Sequence, residues 1–159
     1  MRKIIAWITV ILWMVLIFYF SHQPATASNN LSIGITDLIV ENVEKVAPNL
    51  DFSINNFNHL VRKNAHFIIY FTLGILVVYA LRRSGVLGYR SIGLGFLFCV
   101  LYAISDEVHQ LFVSGRGGQV MDVLIDSAGA SFGIGLYWMI GAILNRASVE
   151  LSSEEMDLN

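Results

Sequence analysis

The sequence predicts an all-α fold, an integral membrane bundle of four transmembrane helices with a short amphipathic helix in the first outer loop. Three observations predict it. Of 159 residues, 55% are hydrophobic and only 14% are charged, about half the charged share of a soluble domain. The mean hydropathy is +0.63. Four apolar stretches approach the roughly 20 residues that a helix needs to cross the hydrocarbon core. So apolar a chain, with a formal net charge of -2, cannot stay solvated as a coil. Ten Lys and Arg against twelve Asp and Glu leave no positive excess for phosphates, so no nucleic-acid partner is expected. The single cysteine, Cys99, excludes an internal disulfide and a thiolate metal cage. Its apolar, mid-span neighbours mark it as packing.

The first span, Ile4 to Phe20, holds no charged residue. Arg2-Lys3, this apolar run and Ala25-Thr26-Ala27 also fit a cleaved secretory signal. The run is long for a signal, however, and Trp7, Trp13, Phe18, Tyr19 and Phe20 suit the aromatic belts of a retained span. The second span covers His66 to Leu81, starting near Arg62. The third, Ile92 to Ile104, reaches spanning length only with flanking residues. The fourth, Val120 to Leu144, is apolar apart from Asp122, Asp126 and a few small polar residues. In lipid the backbone must satisfy its own hydrogen bonds, so all four are helices.

An even number of spans places both termini on one side. Arg2, Lys3, Arg82, Arg83, Arg90 and Arg146 flank that side, against Lys45, Arg62, Lys63 and Arg116 on the other. The positive-inside rule then sets both termini of this multi-pass protein on the cytoplasmic side. The acidic tail, residues 146–159, is expected to be a solvated, frayed and disordered end. In the outer loop, Ile35, Leu38, Ile39, Val43 and Val46 recur at helical spacing, with Asp37, Glu41, Glu44 and Lys45 mostly on the other face. Pro48 discourages continuation. This is the short amphipathic helix, capping the bundle or lying on the lipid surface.

Ionisable residues in or beside spans are costly and therefore informative. With this orientation they gather at one level. The outer end of span one carries Ser21, His22 and Gln23, and that of span two carries Arg62, Lys63 and His66. Span three runs out through Asp106, Glu107, His109 and Gln110, the next loop holds Arg116, and span four opens with Asp122 and Asp126. Asp122, Asp126, Gly129 and Gly133 share one helical face. Gly129-x-x-x-Gly133 admits a close neighbouring helix, so this face looks into the bundle. Arg62, His66, Tyr70 and Gly74 form a similar stripe. Each feature alone also fits a bland role, such as a headgroup anchor, a solvated loop charge or a tight turn at Gly115, Gly117 and Gly118.

Ser21-His22-Gln23, Arg62-Lys63-x-x-His66-Phe67-x-x-Tyr70, Ser105-Asp106-Glu107-x-x-Gln110-x-Phe112-x-x-x-Arg116, Asp122 and Gly129-Ala130 together resemble the VanZ-like family of bacterial membrane proteins. The resemblance covers roughly residues 5–142 and leaves the tail outside. It implies a cell-envelope protein of the kind named for an accessory protein associated with reduced susceptibility to teicoplanin. It also implies, through a proposed kinship with membrane-embedded lipid-modifying enzymes, that His66, Asp106 or Glu107, Arg116 and Asp122 form an active centre.

Several functions fit these residues. An enzyme acting on the headgroup of a phospholipid or a polyprenyl-linked cell-wall precursor would bind phosphate through Arg116, helped by Arg62 or Lys63. His66 would be the general base or nucleophile, and Asp122 would orient it or supply the acid. His22, Gln23, Gln110 and Asp126 would complete the binding site. A non-enzymatic binder of the same lipid is the alternative, as is a structural partner of another membrane protein or a homo-oligomer. Transport is disfavoured, because four spans without inverted repeats make a poor pathway. Gly115, Gly117 and Gly118 could bring backbone N–H groups to phosphate oxygens, although they make no Walker loop. No cofactor is assigned. Metal assistance is open because carboxylates and His are present, although no His-Glu-x-x-His or paired-ligand spacing supports it.

Overall fold

In the computed structural model the described residues are 1–46 and 54–157, with side chains described for 1–39 and 60–146. Five helices follow one another, α1 (Arg2–Ser21), α2 (Ala25–Val46), α3 (Ile54–Arg83), α4 (Tyr89–Gln110) and α5 (Val120–Asp157), with no strand among the described residues. Four segments are long and apolar enough to cross a membrane: Arg2–Ser21, Leu60–Arg83, Tyr89–Gln110 and Val120–Arg146.

α3 is the central element, lying against α1, α2, α4 and α5. Its apolar side chains Leu73 and Val77 are fully buried, meeting Val10 of α1, Cys99 and Ala103 of α4 and Ala130 of α5 in one core. Cys99 is thus a packing residue, as its neighbours imply. The rest of the apolar surface faces outward: Ile8, Leu12 and Val15 of α1, Leu97 and Leu101 of α4, and Phe132 and Ile140 of α5 are all exposed. In water such a surface would cost far more than a bundle this small recovers; lipid tails remove that cost.

Between helices the driving force comes from close packing and scattered hydrogen bonds. A Cβ on Gly129 would strike the carbonyl oxygen of Phe67, and one on Gly133 that of Phe71, while a Cβ on Gly74 would meet the Ala130 carbonyl. The Gly129-x-x-x-Gly133 face therefore rests backbone to backbone on α3. Three aromatic side chains tie helices together: Trp13 Nε1 donates to the Ile69 carbonyl at 3.0 Å, Tyr102 Oη to the Met14 carbonyl at 2.6 Å, and Trp7 Nε1 to Ser84 Oγ at 3.0 Å. Trp13 is thus an interhelical tie and not a belt residue. The turn from α3 to α4 needs glycine, with φ of 92° at Gly85 and 60° at Gly88.

The expected short amphipathic helix is corrected in length. α2 runs 22 residues from directly behind Pro24, and its first amide, Ala25 N–H, donates to the Ser114 carbonyl at 3.2 Å. Leu31, Ile35, Leu38 and Ile39 are exposed, whereas Ser32 and Thr36 are buried. The reason is steric as well as chemical. Short hydroxyl side chains fit the narrow seam against the bundle, and Ser32 satisfies itself on the carbonyls of Ser28 and Asn29. Val43 and Val46 lie outside the residues whose side chains are described. The helical backbone of α5 continues through the acidic segment to Asp157; the side chains of that segment are likewise outside the described residues.

Candidate functional site

The α1 C-terminus, the α2 N-terminus, the entry of span two, the α4 C-terminus and the α5 N-terminus meet at one end of the bundle. Cross-links there show it: Arg116 donates to the Phe20 carbonyl at 3.4 Å, Gln119 N–H to Glu107 Oε2 at 2.8 Å, and the His22 and His109 rings meet at 3.1 Å. The opposite end holds Arg82 and Arg83, stacked over Tyr137 and Tyr79.

At the polar end a cavity of about 410 Å³ opens between α1, α2 and α3. Its wall divides by chemistry. Ile17, Phe20, Leu31, Ile35, Val61 and Ile69 are its larger apolar lining residues, and Ser21, Gln23, Ser28, Ser32, Arg62, His66, Asp106 and Arg116 its polar ones. α2 supplies part of the apolar side. No sequence signal ties α2 to this wall, because its attachment depends on the packing of Ser32 and Thr36.

His66 and Asp126 are the tightest charged pair. Nδ1 of His66 stands 3.3 Å from Oδ1 of Asp126, with the imidazole a quarter exposed and the carboxylate wholly buried. That imidazole is the one polar side chain against the carboxylate among the described residues, and by strict hydrogen-bond geometry both Asp126 oxygens are unsatisfied. Asp126, not Asp122, is the carboxylate on the imidazole. Asp122 lies one turn nearer the helix start and half-buried, whereas Asp126 is carried inward by the glycine face that seats α5 on α3 at Phe67. Asp122 still acts on His66 electrostatically from that position.

On α4, Asp106, Glu107 and Gln110 are all buried. Gln110 Nε2 donates to Asp106 Oδ2 at 3.3 Å and to Glu107 Oε1 at 3.2 Å. Glu107 also accepts the Gln119 amide directly before α5, so it caps that helix from a neighbouring element and complements its dipole. These bonds explain why α4 continues to Gln110 although its apolar run ends near Ile104.

Arg116 is held in the connection between α4 and α5. Partial burial pulls its guanidinium below the usual arginine value, and the neighbouring Arg62 pulls in the same direction. Arginine remains charged all the same. Two guanidinium groups therefore repel each other on the wall of one cavity, and Arg116 Nε is buried without a hydrogen-bond partner. Neither arginine pairs with Asp122 or Asp126; among the described residues, the ion pair at the site is His66 with Asp126.

Lys63 and His22 stand apart from the cavity wall. Lys63 is half-buried on the next face of α3. His22 is exposed and joins Phe18 and His109 in a cluster of three rings. The glycines of the connection have packing reasons: Gly115 takes φ 74°, and a Cβ on Gly118 would meet the Glu107 carbonyl at 2.8 Å.

Compared with known protein families, residues 6–142 match VanZ/LLP1. The chain belongs to the VanZ-like family. Comparison with curated proteins and with solved structures finds no match. Within the matched residues lie all the residues that line the cavity and the Asp126 that pairs with His66.

Proposed function

We propose that this VanZ-like protein acts on the phosphate-bearing headgroup of a membrane lipid, either a phospholipid or a polyprenyl-linked cell-wall precursor, at the outer leaflet. One observation carries the reading. Arg62 and Arg116 repel each other on the wall of one largely apolar cavity, and Asp106 on the same wall, with Glu107 and Asp122 nearby, offsets part of that repulsion. A phosphate between them would relieve that repulsion through charge-assisted hydrogen bonds, and the lipid stem would lie along Ile17, Leu31, Ile35 and Ile69.

The chemistry follows from what else lines the cavity. His66 is the group able to take or give a proton, or to attack. Asp126 fixes the ring from behind, leaving the exposed part of the imidazole toward the cavity. Asp106, beside Ser21 and Gln110, is the second carboxylate on the wall and the complementary acid. Gln23 offers a neutral contact to a headgroup.

The test is lipid binding and turnover by the purified chain in nanodiscs containing phosphatidylglycerol or undecaprenyl phosphate, with native mass spectrometry as the readout. Arg116→Ala and Arg62→Ala are expected to lose bound lipid by roughly tenfold or more, the scale of a lost charged hydrogen bond. His66→Gln is expected to retain bound lipid and lose any turnover. Unchanged lipid occupancy in both arginine variants would overturn the reading. Binding that depends on the arginines, with no turnover of any lipid by the wild type, would favour a non-enzymatic binder.

A further inference from the structure

We infer that His66, Glu107 and Asp126 form a binding site for a single divalent transition-metal ion of the manganese-to-zinc class. The three residues come from α3, α4 and α5, and one ligand atom from each lies within 4.8 Å of the other two. Their positions in sequence follow no ligand-spacing motif, which is why the sequence alone does not disclose them.

Proximity of two carboxylates and an imidazole would not by itself make a site. The independent observation is Asp126. It is fully buried, and neither of its carboxylate oxygens accepts a hydrogen bond. A buried carboxylate left so is expensive, on the order of several kcal/mol, unless a cation meets it. Its imidazole neighbour at 3.3 Å meets one oxygen only. Glu107 is already oriented by Gln110 and by the Gln119 amide, the outer hydrogen bonding that typically fixes metal ligands.

The donor set selects the ion. One imidazole with two carboxylates suits manganese or zinc better than calcium, which takes six to eight oxygens, or magnesium, which keeps several waters. Ligand atoms about 2.0–2.2 Å from one ion lie roughly 3–4 Å apart, so small side-chain rotations close the cluster. Three protein ligands leave a coordination position open. His66 belongs both to the cluster and to the cavity wall, whereas Glu107 and Asp126 lie behind that wall. The inference stands on this cluster alone and does not depend on the lipid reading.

The experiment uses the full chain purified in detergent, stripped with EDTA and desalted. Mn²⁺ or Zn²⁺ is added, and bound metal per chain is measured by equilibrium dialysis and elemental analysis, with thermal unfolding in parallel. About one ion per chain and an unfolding midpoint that rises with metal and falls back with EDTA are expected. Glu107→Gln and Asp126→Asn should each weaken binding by at least about tenfold. Joint substitution His22→Ala and His109→Ala removes the other imidazole pair, at 3.1 Å, and should leave binding intact. Loss of binding in that double variant, or full binding in both Glu107→Gln and Asp126→Asn, would overturn the inference. So would failure of the wild type to hold either ion. Should Asp126→Asn fail to accumulate, Glu107→Gln and Mn²⁺ electron paramagnetic resonance of the wild type decide alone.

Discussion

His66 and Asp126 are unequal partners, and their inequality is measurable. Removing the imidazole leaves a wholly buried carboxylate without its nearest polar partner, whereas removing the carboxylate's charge leaves a ring that is a quarter exposed. Orphaning a buried charge costs roughly 3–5 kcal/mol. His66→Ala is therefore expected to lower the thermal midpoint and membrane abundance more than Asp126→Asn, and the double variant to recover much of the loss. Losses that simply add would refute this coupling. Arg116 makes a second residue-scale prediction. Its planar fork, not its charge alone, suits a phosphate, so Arg116→Lys should bind phosphate-bearing lipid several-fold less tightly than wild type in the nanodisc assay. Equal affinity would mean that a point charge is enough. At this scale the sequence spoke clearly about which residue types gather at the polar end. It could not tell Asp122 from Asp126, because both lie on one helical face and only the depth at which α5 rests on Phe67 separates them.

Among the elements, the contact of α3 with α5 positions the site. Gly129 and Gly133 approach the carbonyl oxygens of Phe67 and Phe71, neighbours of His66 and Tyr70. A methyl group at either glycine must push backbone away from backbone, since no flexible side chain can yield. Gly133→Ala is expected to destabilise the bundle by about 2 kcal/mol or more, on the scale of overpacking, and to separate His66 from Asp126. Detergent thermal unfolding and membrane abundance would register it, with Gly135→Ala, which meets nothing within 4 Å, as the neutral comparison. The small-residue spacing makes this contact legible in sequence. α2 was less so: its apolar residues at helical spacing predict a helix, but periodicity alone does not say whether the apolar face meets protein or lipid. Ser32 and Thr36, buried where Leu31 and Ile35 are exposed, decide that only in the folded chain.

For the whole molecule, four apolar helices and a polar cluster at one end follow directly from hydropathy and from where the charged residues fall. The cavity does not, since its walls come from α1, α2, α3, Asp106 of α4 and Arg116 of the next connection, and exist only when these pack. The positive-inside bias predicts that the cavity opens on the outer side, and cysteine labelling tests it. Ser114→Cys, in the exposed connection beside Arg116, is expected to react with an impermeant thiol reagent in intact cells, and Leu87→Cys at the opposite end only after permeabilisation. The buried Cys99 gives little background. The reverse labelling pattern would place the site on the inner leaflet. The most direct measurement of the central claim, that the arginine-lined cavity takes a lipid phosphate, is the phospholipid and lipid-carrier profile of cells lacking this gene. We predict a change in at least one phosphate-bearing lipid, reversed by the wild-type gene but not by a well-expressed Arg116→Ala gene. An unaltered profile, or full restoration by Arg116→Ala, would contradict the account.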